Sequence, residues 1–319
     1  KNKLLSSELN SDIYKIDKRL YALAKNFEIL SFVNPVNIEQ AKREFFKSKY
    51  QKNPEFIYKQ LSIDAFEFKR KLYSLPLESI NDISLKLLYQ QVIDSYADKV
   101  DIISSIGTNK FLYNCLRYFG EPNISDIKNA EYLLHFSPIN KDDDLEIYNH
   151  TDVYKHFSKT ADDYGFKCKI DITNRIVSKV QVINNKKSVL IRKDSVFSKK
   201  SLNALASHEI GVHMLTTMNA LQQPFNIFRI GTPHNTHTQE GLAILAEYLS
   251  GNLTITRLHY LALRVMVINK MLRGYDFKQS FEYLMDQGIL NDTQAFYLTA
   301  RAYRGGGFTK DYLYLKGFK

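Results

Sequence analysis

The sequence predicts an α+β fold, predominantly helical, with one small antiparallel sheet placed just before the helix that carries the site residues. Three observations lead there. Apolar residues recur at three-and-four spacing over most of the chain, short β-rich runs replace that pattern between residues 168 and 192, and the helical spacing then returns.

The first helix is read over residues 4–30, where Leu5, Leu9, Ile13, Ile16, Leu20 and Leu23 form one apolar stripe. Asn34-Pro35 and Asn53-Pro54 punctuate the next stretch. Helical patterns resume over residues 63–75, 84–106, 110–119 and 126–136. The acidic run Asp142, Asp143, Asp144 and Glu146 splays its side chains and fits no calcium loop, so it reads as a solvated loop. A helix through Val153, Phe157 and Tyr164 precedes three β-rich runs at 168–173, 179–183 and 188–192. Asn174-Arg175 and Asn184-Asn185 supply the turn residues between them. Helices are then expected over 198–218, 238–250, 254–272, 277–285 and 293–303. This order divides the chain into a helical N-terminal region, 1–137, packed on a catalytic region, 138–319.

Composition narrows the class. With 44% hydrophobic and 24% charged residues the chain is an ordinary globular one, and its 21 Tyr and 20 Phe read chiefly as core. The formal net charge of +10 favours an acidic partner. The lysines are spread through every segment without a basic block, which argues against a nucleic-acid binder. Apolar stretches are broken by polar residues before they reach the length of a membrane span, so no membrane partner is expected. Cys115 and Cys168 match neither a disulfide scaffold nor a metal motif and fit a reducing, cytoplasmic setting. The start at Lys1, without methionine, reads as trimming or a fragment.

The chemistry concentrates at His208-Glu209-Ile210-Gly211-Val212-His213. A hydrolytic zinc site wants three N, O or S ligands and an open position for water. His208, His213 and Glu240 supply the ligands. Glu209, next to a ligand, is placed as the general base that activates the water and later protonates the leaving amine. Five residues of regular α-helix would leave the two imidazoles about 140° apart around the axis. The spacing therefore demands a widened turn with Gly211 inside it. Thr236 or Thr238 reads as the cap of a helix that puts Glu240 in its first turn. Glu247, seven residues on, shares that face and is expected to orient one imidazole. His234 and His237 lie in a polar loop and read as surface residues, with an approach to the metal or to a tetrahedral intermediate as the other reading, and His135, His150, His156 and His259 read as structural ones.

The pairing of His208-Glu209-x-x-x-His213 with Gln239-Glu240-Gly241-Leu242-Ala243 resembles the family that joins the microtubule-associated tyrosine carboxypeptidases to bacterial flavohemoglobin-expression-modulating proteins with a QEGLA motif. The likeness also takes in Asn53-Pro54 and Arg301-Ala302-Tyr303-Arg304-Gly305-Gly306, and so most of the chain. It implies a zincin-like core, with His208, His213 and Glu240 as Zn2+ ligands and Glu209 as acid/base. The eukaryotic branch removes a C-terminal tyrosine from tubulin. The segment Pro233-His234-Asn235-Thr236-His237 is richer in histidine than the family pattern.

The reading is thus a zinc carboxypeptidase whose substrate is a peptide or protein C-terminus, possibly acidic. Arg301 and Arg304, running into Gly305-Gly306-Gly307, are the candidate receptors for its carboxylate, the other reading being a basic helix end that complements the helix dipole and turns on glycines. The strand at 188–192 is the expected edge for an extended peptide. A zinc endopeptidase, or a regulatory protein that keeps the metal without turnover, is the alternative. Glu209 argues against the last, since mere metal binding needs no base.

Overall fold

The computed structural model describes residues 11–61, 63–136, 147–233 and 235–319. Leu5 and Leu9 of the first stripe, the acidic run at 142–146 and His234 lie outside them. Among the described residues helices dominate, and one three-stranded sheet interrupts them.

The helices follow their apolar stripes. Ser11–Ala24, Ala65–Tyr73, Ile83–Ser104, Lys110–Phe119 and Ile124–Leu134 lie where the spacing predicts them. Ile38–Lys47 is an addition. Its buried face is only Ile38, Ala41 and Phe45, too short a stripe to stand out between two proline turns. Asn123, Asn149, Asp276 and Asn291 each start a helix through a reciprocal capping box, which satisfies backbone N–H groups that the first turn leaves free.

The sheet is mixed, not antiparallel. β1 (Lys169–Thr173), β2 (Val180–Ile183) and β3 (Ser188–Arg192) lie in the order β1-β3-β2, with β3 parallel to β1 and antiparallel to β2. Each tight connection reverses the chain, so the first and third strands run the same way. Burial decides which are neighbours. Val189 and Ile191 on β3 are fully buried, whereas Ile172 on β1 is exposed, so the most apolar strand takes the centre. β3 consequently offers no free edge to a peptide, and β1 and β2 are the edge strands.

Ile255–Leu272 is the hub of the largest core. Its stretch from Leu261 to Ile268 is buried on every side, as expected of an interior helix. That core draws on Val33, Phe45 and Phe111 from the N-terminal helices as well as Phe281, Phe296 and Phe308. A second core gathers Ile13, Ile16, Leu20, Leu72, Tyr89 and Val92. A third, around Val153, Phe157, Val189, Ile191, Ile210 and Met214, holds the sheet against the helix that carries His208 and His213. Among the described residues no helix is long and apolar enough to cross a membrane.

Candidate active site

The rod that carries the two histidines is continuous but not uniform. Lys199–Leu205 is α-helical, Ala206–Met214 is a π-helix, and Leu215–Leu221 is α-helical again. The widened turns bring residues five apart onto one side, and the rings of His208 and His213 stand 4.9 Å apart, edge to face. Gly211 lies inside the π-segment. A Cβ there would stand 3.1 Å from the Tyr164 hydroxyl, so the glycine also makes room for a neighbour.

Glu240 comes from Asn235–Leu249, which runs alongside. That helix starts earlier than its sequence signals, so Thr236 and Thr238 lie inside it and Glu240 sits in the second turn. His237 is likewise helical, not in a loop. Leu313–Phe318 crosses this helix so closely that a Cβ on Gly241 would meet the Gly317 carbonyl oxygen at 2.1 Å. Gly241 therefore permits the crossing that seats Glu240.

Glu240 Oε2 stands 3.8 Å from His208 Nε2 and 3.5 Å from His213 Nε2. It is buried and, among the described residues, has no hydrogen-bond partner. The other oxygen, Oε1, accepts from Lys310 Nζ at 2.5 Å. Burial alone would raise the Glu240 pKa, but Lys310 and the two histidines outweigh it and hold the carboxyl well below its ordinary value. Burial likewise opposes protonation of His213, and the Glu240 and Glu209 carboxylates outweigh it and raise its pKa. His208, Glu209 and His213 form a group able to hold a metal ion, with one ligating atom of each within 4.8 Å of the others.

Glu247 reaches His208 from behind. Its side chain is 0% exposed, and Oε1 lies 2.7 Å from His208 Nδ1. Arg257 grips the same carboxylate through Nε and Nη2, at 2.9 and 2.8 Å. This leaves Nε2 as the nitrogen of His208 that looks toward Glu240.

These groups line a cavity of about 960 Å3, which also takes in Arg192, Arg264, Arg301, Arg304, Tyr297 and Tyr314. Arg301 and Arg304 both reach it, but they are engaged differently. Arg301 is forked onto Asp311, bonding through both Nε and Nη2. Arg304 donates Nη1 to Asn34 Oδ1 at 2.6 Å and keeps a buried Nε without a partner. Lys310, Arg257 and Arg264 carry no local signal in sequence. Lys310 is 70 residues from Glu240, and only the packing brings them together.

A family model described as microtubule-associated tyrosine carboxypeptidase matches residues 43–319. The chain belongs to that family. Membership in the microtubule-associated tyrosine carboxypeptidases carries a carboxypeptidase-type peptidase activity, and with it a peptide or protein substrate. The match spans the helix Ala65–Tyr73 as well as the histidine and glutamate helices, and so takes in the cavity wall from β2 to Tyr314, while the lining residues between Ala24 and Leu30 precede it. No curated protein matches the chain.

Proposed function

We propose that this protein is a zinc-dependent carboxypeptidase that trims a residue from a peptide or protein C-terminus. The observation that carries the proposal is the buried Glu240 Oε2, without a partner and facing two imidazole Nε2 atoms. A buried carboxylate oxygen left unpaired is costly unless something positive meets it. Two nitrogens and one carboxylate oxygen are the donor set of a hydrolytic zinc site, so the residues fit the ion.

His208, His213 and Glu240 would hold the zinc, inside what the motif implies is a zincin-like core. When bound, zinc supplies a Lewis acid that lowers the pKa of a water at its open position. Glu209, lining the same cavity, takes a proton from the attacking water and returns it to the leaving amine nitrogen. Glu247 fixes the tautomer and tilt of His208 by accepting at Nδ1. Lys310 keeps Oε1 of Glu240 occupied, so that Oε2 is the oxygen presented to the ion. The excess of cations around the cavity favours an acidic peptide.

The test uses Glu209→Gln beside the wild type. We expect both to hold about one zinc per chain by elemental analysis. Only the wild type should release the terminal residue of an N-blocked peptide ending in tyrosine. Undiminished turnover by Glu209→Gln would remove that residue as the base, and zinc retained by a His208→Ala, His213→Ala double variant would remove the metal assignment.

A further inference from the structure

The sheet has two edge strands, and only one of them belongs to the cavity. Val180, Gln181 and Val182 of β2 line it, whereas no residue of β1 does. β1 lies on the far side of β3, so its outward edge takes no part in the site described above.

The ladder fixes which backbone groups that edge presents. The Lys169 N–H donates to the Lys187 carbonyl at 3.1 Å, and the Thr173 carbonyl accepts from the Lys193 N–H at 3.1 Å. Lys169, Asp171 and Thr173 thus turn their backbone groups toward β3, and the alternate residues Cys168, Ile170 and Ile172 turn theirs away. Among the described residues nothing bonds the outward N–H and C=O groups of Ile170 and Ile172. Such a row is a template for another strand.

The side chains do not defend this edge. Lys169 and Asp171 stand two apart on one face and pair with each other at 2.8 Å, so together they carry no net charge. The opposite face is apolar and incompletely covered. Cys168 and Ile170 pack only partly against the third core, and Ile172 is 44% exposed although Ile191, its partner on β3, is 0% exposed.

Pairing of β1 with itself selects one register. Two copies related by a dyad set the strands antiparallel, and residues directly opposite must either both face the partner strand or both face away. A dyad at Lys169 opposes lysine to lysine, and one at Asp171 opposes aspartate to aspartate. A dyad at Cys168 sets Lys169 against Lys167, and one at Ile172 sets Asp171 against Thr173. At Ile170 every group is matched. Ile170 meets the second copy's Ile170, and Cys168 meets its Ile172, as hydrogen-bonded pairs that each exchange two N–H···O bonds. Between them Lys169 meets Asp171 twice, at the non-hydrogen-bonded positions where side chains come closest.

We propose that two copies of this chain associate through β1, antiparallel about Ile170, and join their sheets into one. The partner is a second copy because the strand complements itself: opposite charges meet twice across the dyad, and the half-covered apolar residues cover one another. β2 remains outermost in the joined sheet, so both cavities stay open. The inference is independent of the carboxypeptidase reading.

Sedimentation equilibrium of the full chain tests it, at concentrations up to about 0.2 mM to reach the weak association that a small interface gives. Salt at about 0.15 M shortens the reach of the +10 charge on each copy to about 8 Å. We expect a reversible monomer–dimer equilibrium. Lys169→Glu makes both cross-dyad pairs acidic and Asp171→Lys makes both basic, so each variant alone should weaken the dimer by about 10-fold or more. Both positions are at the surface, with side chains 71% and 40% exposed, and circular dichroism should not change. Mixing the two variants one to one should restore association, because each new charge then meets an opposite one on the other chain. A wild type that stays monomeric throughout, as it would if the edge served an extended segment of another protein, overturns the proposal. So does a dimer that both variants keep, or one that their mixture fails to restore, since either places the contact elsewhere.

Discussion

Replacing Glu247 with alanine should loosen the protein and its metal site together. Glu247 is wholly enclosed and accepts three hydrogen bonds, one at His208 Nδ1 and two from Arg257. Removing one member of a buried ion pair costs about 3–5 kcal/mol, because the remaining charge is left without compensation. The lost methylene adds about 0.8 kcal/mol. We therefore expect Glu247→Ala to lose about 4–6 kcal/mol of stability in chelator, read from urea unfolding. Zinc affinity should fall about 10- to 100-fold by competition with a chromophoric chelator, since His208 loses the acceptor that fixes its tautomer. Arg257→Ala should cost a comparable amount. The double variant should cost clearly less than the sum, with a coupling of about 1–3 kcal/mol. A loss under about 1 kcal/mol for Glu247→Ala with zinc affinity unchanged would refute both the energetic argument and the positioning role.

Three further outcomes follow from the same geometry. The Glu247 carboxyl is buried, which would raise its pKa, yet Arg257 and His208 lower it to about 2. Its ionisation therefore stabilises the fold fully above roughly pH 5, and that contribution is lost as acid approaches its folded pKa. Glu247→Gln should accordingly flatten the acid limb of a stability–pH curve, and an unchanged limb would contradict this. Gly241→Ala should destabilise by about 1–3 kcal/mol in thermal unfolding, because its Cβ would strike the backbone of Gly317 and prise the C-terminal helix off the Glu240 helix. Lys310→Met should cost about 3 kcal/mol in chelator by stranding Glu240. Added zinc should then raise the Tm of Lys310→Met by more than it raises that of the wild type, since the ion supplies the missing positive charge. An equal rise would count against Glu240 as a ligand.

The sequence by itself determined whatever depends on neighbours along the chain. The stripes of Ile13, Ile16 and Leu20 or of Phe277, Phe281 and Leu284 fix helices, because a period near 3.6 is a property of the segment alone. The distortion at the active helix was legible for the same reason. Two histidines five residues apart share a face only if the turn widens, and Ala206–Met214 is π-helical. Membership of the family was legible too, through the His-Glu-x-x-x-His and Gln-Glu-Gly-Leu-Ala strings.

What only the tertiary structure decided are pairings between distant segments. The antiparallel sheet expected from three short runs became a mixed one because burial, not chain order, put β3 at the centre. Lys310 carries no spacing signal toward Glu240, and Arg257 none toward the histidine it steadies through Glu247. The arginines at 301 and 304 stand out in the sequence beside glycines, whereas Arg264 lies inside an apolar helix and carries no such mark. A cation's role depends on which carboxylates come within a few ångströms of it, and local sequence does not encode that distance. Packing gives Arg301 to Asp311 and leaves Arg264 with aromatic faces and an open cavity.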